Sequence, residues 1–154
     1  MIRMSMLRNY PVIHLQKQIG LVQSLTMDPA RKRVQALIVS GGLKGKRILP
    51  ATMIQAIGDG YILAKSIQAY KRSMEPVISP FARDSTGCLV GLVTDYAIDE
   101  RTLEVLAAEM MTGYLPHEQR NRIWMYAYHC TGSSDMIVPA SLGSELIFSK
   151  EEDN

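Results

Sequence analysis

Four sets of residues in this chain have side chains that could do chemistry. Gly41-Gly42-Leu43-Lys44-Gly45-Lys46-Arg47 has the glycines and lysines of a phosphate-binding loop. A P-loop, however, needs a Gly five positions before its final Gly-Lys and a Ser or Thr after the Lys. Ser40 and Arg47 stand at those places, and no helix is expected next to aim backbone N–H groups at a phosphate. The segment reads as a loop between strands. His14, His117, His129, Cys88 and Cys130 are the candidate soft-metal ligands, but none form a Cys-x-x-Cys or His-x-x-x-His pair. His129 and Cys130 are neighbours on an expected strand, so they should point to opposite faces. A Cys–His nucleophile pair has no supporting spacing. Both cysteines read as buried free thiols of a reducing compartment. Asp95, Asp99, Glu100 and Glu109 could supply two carboxylates for acid–base work. Asp99-Glu100 falls at an expected hairpin tip, where solvated charge is the ordinary explanation. No catalytic residue, metal site or cofactor site is assigned from these sets.

The remaining set is basic. Arg31-Lys32-Arg33 and Lys44, Lys46 and Arg47 flank the two ends of one expected strand, 33–39. At strand rise they lie roughly 20 Å apart, as two patches rather than one phosphate clamp. Residues 1–75 hold 12 Lys/Arg against 3 Asp/Glu, a balance of +9; residues 76–154 hold 5 against 12, a balance of −7. Such a split points to a charged partner or to a neighbouring copy, with plain surface drift as the alternative. Aromatic side chains for base stacking are few in the basic half: Tyr10, Tyr61 and Tyr70. They gather instead at Tyr114, Trp124, Tyr126 and Tyr128, where alternation places Trp124, Tyr126 and Tyr128 on one strand face. That face is either core or a protein-contact surface.

The elements that must position these residues follow from an internal echo. Ile19–Val39 returns as Val90–Ala108: Gly20-Leu21-Val22 matches Gly91-Leu92-Val93, and Asp28, Val34 and Ala36 match Asp99, Val105 and Ala107, all at an offset of 71. A constant offset without a gap points to a duplication. Leu21, Leu25 and Met27 share one face by period two, with Ser24 and Thr26 beside Val22 on the other. Asp28-Pro29 turns the chain and 33–39 returns. Strands are expected at 11–14, 46–49, 54–57 and 61–64, with a tight helical turn at 51–53 and a hairpin turn at Gly58-Asp59-Gly60. Residues 1–10 read as a loose lead-in and 66–75 as a linker with a helical turn near Ala69-Tyr70. Pro76-Val77-Ile78 echoes Pro11-Val12-Ile13. Pro139-Ala140 matches Pro50-Ala51 at an offset of 89, so 18 residues are inserted, since 89 − 71 = 18. The insertion is expected to hold an extended loop and a long third strand over 122–130. Residues 149–154 read as a disordered acidic tail.

With these segments placed, the chain resembles the PRC-barrel domain family. The resemblance is carried by Pro11-Val12-Ile13, Ile19-Gly20-Leu21-Val22, Met27-Asp28, Arg33-Val34, Arg47-Ile48-Leu49-Pro50 and Ile54-Gln55-Ala56-Ile57-Gly58 over residues 11–63. In the second half it is carried by Ser79, Val90-Gly91-Leu92-Val93, Asp95-Tyr96 and Ile137-Val138-Pro139, and the ending departs from the pattern. The resemblance implies an all-β chain of two tandem small antiparallel β-barrels, over 11–65 and 76–148. The family includes the cytoplasmic part of the photosynthetic reaction-centre H subunit and the C-terminal part of ribosome-maturation factors, which are binding and scaffolding modules. It implies protein interaction and carries no site residues.

Hydrophobic residues make up 47% of the 154, enough for a real core. No stretch reaches the ~18 apolar residues of a membrane span, and no signal-peptide pattern opens the chain. The expectation is a cytoplasmic, bacterial, non-enzymatic interaction or scaffolding module without cofactor, without membrane insertion and with self-association open. Its expected interaction patch is Arg31, Lys32, Arg33, Lys44, Lys46 and Arg47. One rival is an RNA or ribosome-assembly accessory factor using the basic half. The other is a small-molecule binder or enzyme at the cleft between the barrels.

Overall fold

The computed structural model describes residues 1–72, 78–112, 121–130 and 135–138. Strands are the main regular element of the described residues, with one short helix and one 3-10 turn. The first sheet has the order β6-β7-β2-β3-β4-β5-β8, from β2 (Pro11–His14), β3 (Lys17–Met27), β4 (Val34–Ser40), β5 (Lys46–Pro50), β6 (Ile54–Gly58), β7 (Tyr61–Ala64) and β8 (Gln68–Ala69). The second has the order β12-β11-β10-β9-β13, from β9 (Phe81–Arg83), β10 (Leu89–Ile98), β11 (Val105–Thr112), β12 (Asn121–Met125) and β13 (Met136–Ile137). The expected 3-10 turn is present at Ala51–Met53 and the glycine turn lies between β6 and β7.

The hairpins β3–β4 and β10–β11 share one register. Leu21↔Ser40, Val22↔Val39, Ser24↔Ile38, Leu25↔Leu37, Thr26↔Ala36 and Met27↔Val34 become, 71 positions on, Leu92↔Met111, Val93↔Met110, Asp95↔Glu109, Tyr96↔Ala108, Ala97↔Ala107 and Ile98↔Val105. Even the irregularities coincide, at Gln23 and Thr94 and opposite Thr26 and Ala97. The bulge at Gln23 corrects the expected faces. An extra residue shifts the side-chain phase by one, so Val22 turns inward with Leu25 while Leu21 stands outward. Gly20 is required by packing: a Cβ there would lie 2.7 Å from the Ser40 carbonyl oxygen. Gly91 stands in the same relation to Met111, at 2.5 Å.

Each half lends its hairpin end to the other. Met27 packs in the second core, with Tyr96, Met110 and Met125, while its counterpart Ile98 packs in the first, with Val22, Leu37 and Leu49. Leu103 follows Ile98 into the first core. The two halves are therefore interleaved rather than separately packed.

Several expectations are corrected. The lead-in is not loose: β1 (Ile2–Arg3) pairs with β10, α1 (Met4–Leu7) follows, and Leu7 is fully buried in the first core. The linker holds strand β8 on the edge of β5 instead of a helical turn, because Tyr70 packs over Ala36, Ile38 and Ile48. Among the described residues the first strand of the second half is Phe81–Arg83, where Gly91 pairs with Ala82 as Gly20 pairs with Val12. The third strand of that half stops at Met125. Pro76, Val77, the loop at 113–120, Pro139-Ala140 and the tail at 149–154 lie outside the described residues.

Candidate functional site

Polar and titratable groups converge where the two hairpin ends meet. The backbones pair reciprocally there: Val34 N–H donates to the Leu103 carbonyl at 2.9 Å, and Val105 N–H to the Lys32 carbonyl at 2.8 Å. Asp28 shapes one end by accepting the N–H groups of Lys32 and Arg33 at 2.6 and 2.8 Å. Asp99 shapes the other through Arg101 and Thr102, and those N–H groups hold its carboxyl below the usual range.

This geometry removes Arg31 from the expected patch. It adopts φ 55° and turns its side chain into the junction, where it is 0% exposed. Its guanidinium donates to the Ser79 carbonyl at 2.7 Å and to the Tyr96 hydroxyl at 3.3 Å, and its own carbonyl accepts the Tyr128 hydroxyl at 2.8 Å. Lys32 lies over the Tyr128 ring, 4.0 Å from its centre, and reaches the Tyr128 carbonyl at 3.3 Å. So both cations engage aromatic and carbonyl surface of the same chain. Burial raises the hydroxyl pKa of Tyr96 and Tyr128 and the thiol pKa of Cys130, with Arg31 opposing each. Arg33 stays exposed, as do Lys44 and Lys46. Lys46 stands over Tyr70, 5.4 Å from the ring centre, and Arg47 donates to the Ile19 carbonyl. The structure thus divides the six residues between the junction and the opposite end of the first sheet. The glycine-lysine segment is a loop from β4 to β5.

The carboxylates divide as well. Asp95 and Glu109 are cross-strand partners and both buried, but different groups engage them. Asp95 accepts Ser5 N–H at 3.1 Å and the Ser5 hydroxyl at 2.5 Å. Glu109 accepts the Thr94 hydroxyl at 2.8 Å, with Arg3 and Arg122 at 3.8 and 3.9 Å. Arg3 itself lies over Trp124, 5.0 Å from the ring centre. Asp99 and Glu100 are on the loop, and Glu100 pairs with the N-terminal ammonium. Ser5 as partner of Asp95 left no mark in the sequence, because the lead-in carries no periodicity. A cleft of about 260 Å³ lies under α1, between Val22, Ser24 and Leu25 and their counterparts Val93, Asp95 and Tyr96. It is smaller than the ~300–1,000 Å³ of most small-molecule sites.

His14 Nδ1–H donates to the Ala64 carbonyl, 3.0 Å away, and His129 is exposed while Cys130 is buried. Cys88 is exposed, a correction: it follows the 84–87 turn rather than entering the core. Among the described residues no group of three or more His, Cys, Asp or Glu is placed to hold a metal. His117 lies outside them. Trp124, Tyr126 and Tyr128 do not share a face, because the strand ends between them; Tyr126 is exposed and Tyr128 buried.

The outer face of the second sheet carries what the periodicity missed. Ile137, Arg83 and Leu89 form one row across β13, β9 and β10, and Phe81 and Leu92 form the next. Phe81, Leu89 and Ile137 are all exposed large apolar side chains. The short strands β9 and β13 gave too few residues for alternation to be read.

The family model of the PRC-barrel domain matches residues 1–70. No curated protein matches the chain. Among the described residues no helix is long and apolar enough to cross a membrane.

Proposed function

Because residues 1–70 belong to the PRC-barrel domain family, we propose that the chain is a non-enzymatic protein-interaction module of the cytoplasm, a scaffold rather than a catalyst. The observation that carries this reading is the apolar row on the second sheet. Phe81, Leu89 and Ile137 stand exposed on adjacent strands around Arg83, whose Nε is held by Asp135. Adjacent exposed apolar side chains with a charged residue among them are the composition of an interface core with a polar group to set register. The junction supports the same reading from the other side. Its cations and tyrosine hydroxyls are engaged with one another and with backbone carbonyls across the two halves, which suits a rigid platform. Two free thiols, Cys88 exposed and Cys130 buried, fit a reducing compartment.

The reading is tested by affinity capture from the native host with the wild type and with a Phe81→Asp/Leu89→Lys/Ile137→Lys variant. A protein recovered in stoichiometric amount by the first and lost by the second, with the variant's thermal unfolding unchanged, supports it. Equal recovery by both removes the row from the function.

A further inference from the structure

The first sheet has two unlike ends. The end formed by the β3–β4 connection meets the second half. The other end is formed by the β2–β3 turn, the β4–β5 loop and the residues that follow β7 and β8. Strand directions place Lys17, Lys44, Lys46, Arg47, Lys65, Lys71 and Arg72 there: β2 and β7 run parallel toward it, and β8 runs antiparallel to β5, so that 70–72 lie along 46–44. The contact of Lys46 with Tyr70 fixes that last alignment. Asp28 and Asp59 sit on turns at the opposite end, and among the described residues no Asp or Glu lies at the basic one. None of the seven cations is ion-paired among the described residues.

Two leucines project from the same end. Leu15 tips the β2–β3 turn at 80% exposure, and Leu43 tips the glycine loop with its side chain wholly in solvent. Each is followed closely by a lysine, Lys17 and Lys44. A backbone at φ 49° holds Leu15 outward, and Gly42 and Gly45, at φ 64°, bring Leu43 to the apex. Two isolated apolar tips need no explanation alone. Two on adjacent loops within an unbroken field of cations match one chemistry, a surface that is anionic outside and apolar a few ångströms beneath.

We propose that this end of the first sheet docks on an anionic lipid bilayer, with Leu15 and Leu43 entering the headgroup–acyl boundary and the surrounding cations lying against the headgroups. The chain lies on the membrane by this contact and does not cross it. The contrast with nucleic acid is set by side-chain type. Single-stranded bases are held by stacking on aromatic rings, and the one aromatic at this end among the described residues, Tyr70, is half-buried beneath Lys46. Aliphatic tips gain nothing from a phosphodiester backbone. The surface is separate from the apolar row on the second sheet, so this inference stands or falls apart from the proposed function.

The test is sedimentation of the full chain with vesicles of phosphatidylcholine alone or mixed with phosphatidylglycerol, at about 0.1 M salt where exposed charges act only over ~10 Å. Binding to the mixed vesicles and none to phosphatidylcholine is expected. Lys44→Glu/Lys46→Glu should weaken it by at least the roughly five-fold per cation that charge removal brings. Leu15→Asn/Leu43→Ser leaves the charge unchanged, and Asn tolerates the left-handed backbone. It should weaken vesicle binding by roughly ten- to a hundred-fold for each leucine that is fully buried. Binding of a single-stranded RNA oligonucleotide is measured in parallel. Absence of binding to the mixed vesicles overturns the proposal. So does a leucine variant that binds vesicles as the wild type does, and tight RNA binding together with that result would make the end a general polyanion surface. Unchanged circular dichroism and melting of both variants assign the losses to the surface rather than to the fold.

Discussion

Replacing Arg31 by Met should cost more stability than any other exchange among the basic residues, although the position lies in a loop. The exchange keeps an unbranched stem and removes the guanidinium. The bonds to the Ser79 carbonyl at 2.7 Å and to the Tyr96 hydroxyl at 3.3 Å go with it. Hydrogen bonds to a charged group contribute about 1.5–3 kcal/mol each. The second is long, so these bonds together account for about 3 kcal/mol, with the partly buried Ser79 carbonyl left to find water. Against the ~5–15 kcal/mol of an ordinary domain this is a large fraction. At this chain length it corresponds to a fall in Tm of about 6–12 °C. Arg33→Met, two positions on, should stay within about 0.5 kcal/mol, because that side chain is solvated. The assay is urea unfolding followed by tryptophan fluorescence and circular dichroism together. The interleaved cores predict one coincident transition for the wild type. An Arg31→Met protein within about 1 kcal/mol of wild type would refute the reasoning, since no buried and engaged guanidinium can be lost so lightly.

Gly20→Ala and Gly91→Ala should each destabilise by about 1–3 kcal/mol in thermal melts, because the added Cβ meets backbone oxygen at 2.7 and 2.5 Å. Cys88 should react with a thiol reagent in the native protein, and Cys130, buried and with its pKa raised by that burial, only on unfolding; equal rates would contradict the placement. Burial holds the Tyr128 and Tyr96 hydroxyls above their ordinary value, so the stability linked to them is intact below about pH 10 and is lost as the pH rises through the folded values. Urea midpoints should therefore decline above about pH 10, and Tyr128→Phe should lessen the decline; a midpoint as steep in the variant would assign it to other groups.

What could be read in the sequence, and what could not, divides by the range of the interactions involved. The hairpins at 19–39 and 90–110 were legible because local alternation and the offset of 71 act within one stretch, and the pairing bears out both the turns and the return strands. The inward faces were not, because the bulges at Gln23 and Thr94 change the phase without any change in composition. Phe81–Arg83 carries no legible strand signal of its own. A three-residue strand is defined by its partner, here Gly91 and Leu92, more than by its own residues. Arg31 looked like a solvated hairpin-tip cation. Only the opposed hairpin at Leu103–Val105, 71 positions away from its own counterpart, turns that tip into an interior. The basic end of the first sheet was half visible: Lys44, Lys46 and Arg47 stood out as a cluster, whereas Lys17, Lys65, Lys71 and Arg72 join them only through strand direction.

The proposed function rests on the apolar row of the second sheet, and a photo-crosslinking side chain placed there in living cells of the native host tests it most directly. Carried at Phe81 or Ile137 it should yield one discrete adduct with a partner protein. Carried at Tyr61, comparably exposed but on the first sheet, it should yield none. Adducts at all three positions alike, or at none, would contradict the account.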